Sequence, residues 1–356
     1  MMRSCRFRDW MLAVAFASIG FSLLPMPFSF GQEAKERATF KVAGSQVFCL
    51  AFSPDSKTLA TGGLGILRRM DPGTVQLWDV ATGKERISFI AHERIVMCIR
   101  FSPNGQILAT GGGKGGSPRG EVKLWDPLTA KEKATLANSA DAFQSLAFSP
   151  DGKMLAGANM FDKHIRLWDL ATGQQAFQLE IADPGIGDRI IFSPDGKTLA
   201  VGSHGSMTVH LFDMATRKER TPLEGRPGGV RALAFSPDGK TLAWGGYLTE
   251  CSKDGAQGEL KLFDIKTGRE RMKVMGHEDG VRSVAFSPDG KLLASGGHDN
   301  LVKLWDVAAA REHATLEGHE TVVTCVAFSP DGKTLASGSS DGEVKLWNVA
   351  VKDDKK

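Results

Sequence analysis

Apolar and polar positions in residues 322–349 fall into three short runs parted by turn residues. Residues 322–328 are nearly all apolar and rich in β-branched side chains, the pattern of a strand buried on both faces. Ser329, Pro330, Asp331 and Gly332 then supply a turn, since Pro presets φ at the second position and Gly accepts a positive φ without steric cost. Residues 334–337 read as a second strand. Ser340, Asp341 and Gly342 turn the chain again, and residues 343–349 alternate polar and apolar side chains as a third strand. Earlier in the chain a fourth strand follows a small turn, as at residues 81–84 before residues 85–90.

The same plan recurs along the chain. A Phe-Ser-Pro phrase begins at Phe52, Phe101, Phe148, Phe192, Phe235, Phe286 and Phe328, with steps of 49, 47, 44, 43, 51 and 42 residues. A second phrase follows each copy, ending at Asp79, Asp126, Asp169, Asp213, Asp264, Asp306 and Asn348. A period of about 40–50 residues marks a repeat architecture in which each unit buries its apolar face against its neighbours. The prediction is an all-β fold: a seven-bladed β-propeller of four-stranded antiparallel blades.

These phrases resemble the WD-repeat family, the propellers typified by the G-protein β subunit, over roughly residues 36–350. The resemblance implies that a His, a Ser or Thr, an Asp and a Trp hold each blade by hydrogen bonds. Two blades match in full: His277, Ser295, Asp299 and Trp305 in blade six, and His319, Ser337, Asp341 and Trp347 in blade seven. Blade two keeps His92, Thr110 and Trp125 but has Arg119 at the Asp position. Blade one keeps Thr61 and Trp78, and blade three keeps Asp162 and Trp168, with Gly157 in place of the hydroxyl. Blades four and five carry Val201 and Trp244 there, and both replace the Trp, with Phe212 and Phe263. That pairing is physical, because a buried indole N–H without an acceptor costs roughly 1–3 kcal/mol and Phe needs none.

The sequence runs out after the third strand of blade seven, and residues 36–40 read like residues 312–316. Residues of about 36–42 are therefore expected to complete blade seven and close the ring, since an open propeller exposes strand edges. The domain plan is a signal peptide at 1–31, the propeller at 32–351 and a charged tail at 352–356. Arg3, Arg6 and Arg8 precede an apolar core at residues 11–24 and small residues at 29–31, the layout of an exported protein's leader. An uncleaved membrane anchor at residues 11–24 is the alternative, although that core is shorter than the roughly 20 residues of a spanning helix.

Charge narrows the function classes. The chain has 44 Lys and Arg against 41 Asp and Glu, and removing the leader takes away three arginines and Asp9. So balanced a mature chain gives no broad signal for nucleic acid or anionic membranes. Cys49, Cys98 and Cys325 share one inner-strand position, where three thiols could hold a metal. Small residues in a packed core are the favoured reading, so no metal and no cofactor is expected. Cys251 lies in a loop without an obvious partner.

Blades one, two and five carry seven, five and nine extra residues between their second and third strands. Equivalent loops emerge on one face, and repeat proteins place insertions on their binding face. Arg68, Arg69, Lys114 and Arg119 in the first two insertions form either a basic patch or solvated loop charge. Tyr247, the only tyrosine, opens the third and suits an aromatic anchor. Phe161, His204 and His298 lie in or beside tight loops on that side, as recognition residues or, more commonly, as loop packing. No nucleophile elbow, metalloprotease helix or phosphate loop occurs. The leading expectation is an exported, monomeric, non-enzymatic scaffold for a protein or peptide. The alternative is an enzyme or small-ligand binder of the lactonase or periplasmic-propeller kind, with a site at the channel mouth.

Overall fold

The computed structural model describes residues 34–42, 45–65, 72–113, 120–139, 142–159, 162–181, 186–203, 208–224, 229–247 and 257–349. The leader, the charged tail, Arg68, Arg69, Lys114, Arg119, Phe161, His204 and Cys251 lie outside them. Among the described residues every regular element is a β-strand.

Strand pairing gives seven antiparallel groups, six of them running outward in chain order and the last edged by the first described strand, with blades one and two joined into one sheet by a single pairing between Leu64 and Ile95. The innermost strands are Ser45–Phe52, Ile95–Phe101, Phe143–Phe148, Ile186–Phe192, Val230–Phe235, Val281–Phe286 and Val323–Phe328. Each packs against the next, and the last packs against the first, so the ring is closed.

The predicted closure is present. Lys35–Lys41 pairs antiparallel with Glu343–Asn348 at the outer edge of blade seven. Lys345 Nζ, buried in that sheet, lies 3.0 Å from Glu36, and Phe40 stacks on Trp78 of blade one at 4.3 Å between centroids. Both ends of the described ring thus meet in one blade and touch its neighbour.

Adjacent blades approach closely because the second strands present glycine at the seam. A Cβ on Gly62 would stand 2.6 Å from Val96, one on Gly296 2.6 Å from Val323, and one on Gly338 2.7 Å from Val47. The knob from the next blade fills the space each glycine leaves, so the same contact closes the ring between blades seven and one.

The Ser-Pro-Asp-Gly turns are built as read. In blade seven Ser329 Oγ donates to Asp331 at 2.6 Å, Thr334 N donates to Ser329 Oγ at 3.0 Å, and Gly332 takes φ of 71°. Blade one places Ser56 at that position with φ of 63°. Blade four departs from the plan of four continuous strands. Its outer strand is split into Lys218–Glu219 and Leu223–Glu224, with Pro222, which has no N–H to donate, just before the second piece.

Candidate functional site

The tetrads decide what holds the blades apart from their strand ladders. In blade six Trp305 Nε1 donates to Ser295 Oγ at 2.8 Å, Ser295 Oγ lies 2.7 Å from His277 Nε2, and His277 Nδ1 lies 2.8 Å from Asp299. These partners fix the proton order: indole to hydroxyl, hydroxyl to Nε2, Nδ1–H to carboxylate. Burial alone would raise the Asp299 pKa, but the His277 hydrogen bond and the backbone N–H groups of Leu301 and Glu278 hold it below the usual carboxylate value.

Blade seven corrects the expectation for Asp341. Trp347, Ser337 and His319 repeat the chain at 2.9 and 2.7 Å, but Asp341 accepts from Ser339 Oγ at 2.5 Å and from Glu343 N at 3.2 Å. His319 Nδ1 instead faces Glu343 at 3.4 Å, too long for a good hydrogen bond. The cause is one side chain. Blade six has Gly297 against the His277 ring, where a Cβ would stand 2.3 Å from it. Blade seven has Ser339 at that place, which occupies the space and binds Asp341.

Blade two is also more complete than its sequence implies. Trp125 and His92 both bond Thr110 at 2.9 Å, and His92 Nδ1 lies 3.4 Å from Glu121. Glu121 and Glu343 occupy equivalent positions on the third strand, two residues beyond the expected Asp. Burial pushes the His92 pKa down, opposed by Glu121. His319 is pushed down to about 4 by burial and then by Lys345, against Asp341 and Glu36.

The incomplete blades pack differently. In blade one Trp78 keeps its bond to Thr61 at 2.9 Å. In blade three the Trp168 ring covers Gly157, where a Cβ would stand 2.7 Å away, and Asp162 binds His164 at 2.8 Å instead of a tetrad. In blade five Trp244 stacks on Phe263 at 4.3 Å, filling the place of the hydroxyl and the indole together.

The shared cysteine position is a seam position. Cys49 Sγ lies 3.7 Å from Val96 O and Cys98 Sγ 3.6 Å from Phe143 O, each across to the next blade. In blade three Ser145 Oγ takes the same role, accepting from Ile190 N at 2.9 Å. Burial pushes the Cys98 thiol up to about 12 and Cys325 to about 11, and Cys49 well above its ordinary value. A thiolate, the form that ligates metal or attacks carbon, is therefore disfavoured there.

Of the eight residues proposed from sequence for binding, the described set holds His298 and the backbone of Tyr247, which ends the strand Thr241–Tyr247 opposite Gly258. His298 is half-buried, and its N–H donates to Gly280 O at 3.1 Å. Burial lowers its pKa, followed by the nearby charges of Arg282 and Arg231. Those arginines belong to the inner strands of blades six and five, and reading blade by blade missed them.

With this geometry in view, the profile of the WD domain, G-beta repeat matches residues 34–79, 83–126, 131–169, 217–255, 268–306 and 311–348. The chain belongs to that family. Six stretches match, and the unmatched interval holds most of blade four, where Val201 and Phe212 replace the hydroxyl and the Trp. The WD-repeat chain is 50% identical to mouse (Mus musculus) coronin-7 over 36 residues, 10% of this chain and 4% of that protein. It is 38% identical to eukaryotic translation initiation factor 3 subunit I of Dictyostelium discoideum over 55 residues, 15% of this chain and 17% of that protein. The chain thus spans less than a fifth of either relative.

Proposed function

We propose that this WD-repeat chain is an exported, non-enzymatic scaffold that holds a protein or peptide partner on its insertion-bearing face. WD repeats form interaction platforms, and the tetrads here are spent on blade stability. The polar groups of the blade-six tetrad bond to one another, and burial biases His92 and His319 toward the neutral form. One observation carries the choice of face. The second and third strands of blades one, two and five remain paired out to the edges of the insertions, at Gly62 with Val75, Gly113 with Gly120 and Tyr247 with Gly258. The residues of those insertions taken to meet the partner are Arg68, Arg69, Lys114, Arg119 and Tyr247, together with Phe161, His204 and His298. Binding residues are commonly borne on loops held by a rigid scaffold.

The test is affinity capture from the native host's envelope. Replacing Arg68, Arg69, Lys114 and Arg119 with Ser should leave the urea midpoint within about 0.5 kcal/mol of the parent, while partner recovery falls and its residue becomes less sensitive to salt. Substituting the exposed Lys57, Lys240 and Lys333 in the opposite turns should leave capture unchanged. If the opposite set abolishes capture and the insertion set does not, the partner uses the other face. Export is tested on the same material by amino-terminal sequencing, with cleavage expected near Gly31 and Gln32; a product that retains residues 1–31 in the cytoplasm contradicts it.

A further inference from the structure

The inner strands concentrate positive charge that the whole chain hides. Among the seven innermost strands the charged residues are Arg100, Arg189, Arg231 and Arg282 against a single acid, Asp188. The excess therefore equals the formal net charge of +3 for all 356 residues. Because the inner strands form a closed ring, four arginines that each look solitary in sequence stand around one axis.

Their heights differ. Arg189 occupies the position of Cys49, Arg100 lies two residues nearer the Ser-Pro-Asp-Gly turns, and Arg231 and Arg282 lie one residue nearer the His298 face. At about 3.3 Å per residue the four positions span roughly 10 Å of channel. Arg100 and Arg189 line a cavity of about 400 Å³ whose walls come from six of the seven blades, including Pro54, Pro103, Pro150 and Pro330. That cavity is the channel mouth. Five other blades have Ala at the Arg100 position (Ala51, Ala147, Ala234, Ala285 and Ala327), so the channel is roomy where the guanidinium sits. All four arginines are half-buried. Arg100 spends one N–H on Ile99 O at 2.8 Å, and a guanidinium has five to offer.

We propose that the central channel binds a small multivalent oxyanion, phosphate-bearing or polycarboxylate, held by Arg100, Arg189, Arg231 and Arg282. Low-dielectric walls focus the field of charges of one sign, and Arg forks bind phosphate and carboxylate oxygens in pairs. Staggered donors over about 10 Å suit an extended anion better than a single compact one. An anion that binds only the folded ring also stabilises it, so binding and thermal stability rise together. The site does not rest on the partner-binding reading above.

The test is calorimetric titration of the full chain with inorganic tripolyphosphate and, separately, with citrate, at ionic strength matched with sodium chloride. Saturable one-to-one binding and a raised thermal midpoint are expected. Arg189→Gln and Arg282→Gln should each weaken binding by roughly tenfold or more. Arg189→Lys should fall between Gln and the parent, because the charge stays and the fork is lost. A triple change of the exposed outer-rim lysines Lys84, Lys131 and Lys266 to Gln should have no effect. Binding of tripolyphosphate alone assigns a phosphate-bearing ligand, and comparable binding of citrate assigns a multivalent oxyanion regardless of source. Absence of saturable binding by both probes overturns the proposal. So does retention of parental affinity in both folded Arg→Gln variants, or an equal loss in the rim variant.

Discussion

Asp299→Ala and Asp341→Ala are the same substitution at equivalent positions of neighbouring blades, and the structure separates their costs. Asp299 accepts from His277 Nδ1 at 2.8 Å and from the backbone of Leu301 and Glu278 at 3.2 Å each. The His277 side chain is 0% exposed, so removing its acceptor leaves a buried donor that water cannot reach. A hydrogen bond to a charged group is worth about 1.5–3 kcal/mol and an orphaned buried donor costs about 1–3 kcal/mol, two views of one loss. We therefore expect about 3 kcal/mol for Asp299→Ala, with the two weaker backbone bonds included. Asp341 bonds Ser339 and Glu343 N within its own turn, and Ser339 Oγ keeps Glu343 O at 3.1 Å when the carboxylate goes. No hydrogen bond joins it to His319, whose Nε2 bonds Ser337. About 1 kcal/mol is expected there. Urea unfolding followed by tryptophan fluorescence measures both, provided the denaturant slopes agree with the parent so that the midpoints report stability. Equal losses, or a larger loss at Asp341, would refute the assignment of Ser339 as the group that diverts it.

Two further outcomes follow from the same geometry. Deleting residues 35–42 removes the Glu36–Lys345 pair and the Phe40–Trp78 stack and bares the edge of Glu343–Asn348, so size-exclusion chromatography should show aggregation and the thermal midpoint should fall; a monomer with the parental midpoint rules the closure out. Acid should destabilise through His319, whose folded pKa of about 4 lies below its unfolded value of 6.5. The unfolded chain therefore binds the proton first, and stability present above pH 6.5 is lost as pH falls toward 4, by on the order of 3 kcal/mol in total. His319→Gln should flatten that slope in urea midpoints measured across the window; an unchanged slope contradicts it.

The architecture was legible because each strand and turn is coded locally and then repeated. Phe328-Ser-Pro-Asp-Gly states a strand end and a positive-φ turn within five residues, and seven copies leave few alternatives to a ring. Closure by residues 36–42 was legible for the same reason, as a displaced copy of residues 312–316. The carboxylates of blades two and seven were not. Asp341 and Glu343 are both in reach of the tetrad by spacing, and the outcome turns on whether the residue two before the first of them is glycine, as Gly297 is, or Ser339. A motif match compares identities at fixed offsets and has no means of weighing that competition for space. Blade two then repeats the Glu solution without the serine, because Arg119 leaves no Asp to compete with Glu121.

The candidate site divides along the same physical line. Insertions are visible in sequence as extra length, so the insertion-bearing face drew notice first. The channel arginines add no length and break no motif. Arg100, Arg231 and Arg282 each sit singly on a strand that otherwise reads as uncharged, Arg189 stands beside Asp188, and an isolated charge on a strand is ordinarily a solvated edge. Only ring closure converts one arginine per blade into four about one axis, and only the register between blades gives their stagger. The near-neutral total conceals this: acids outnumber bases over the outer strands and turns and offset the inner excess, while pairs such as Lys303 with Glu312 and Arg220 with Asp213 form there. The imbalance is left where the blades converge. A chain with so little net charge can still hold a strongly polarised interior, and its ligand chemistry then follows from that interior, not from the total.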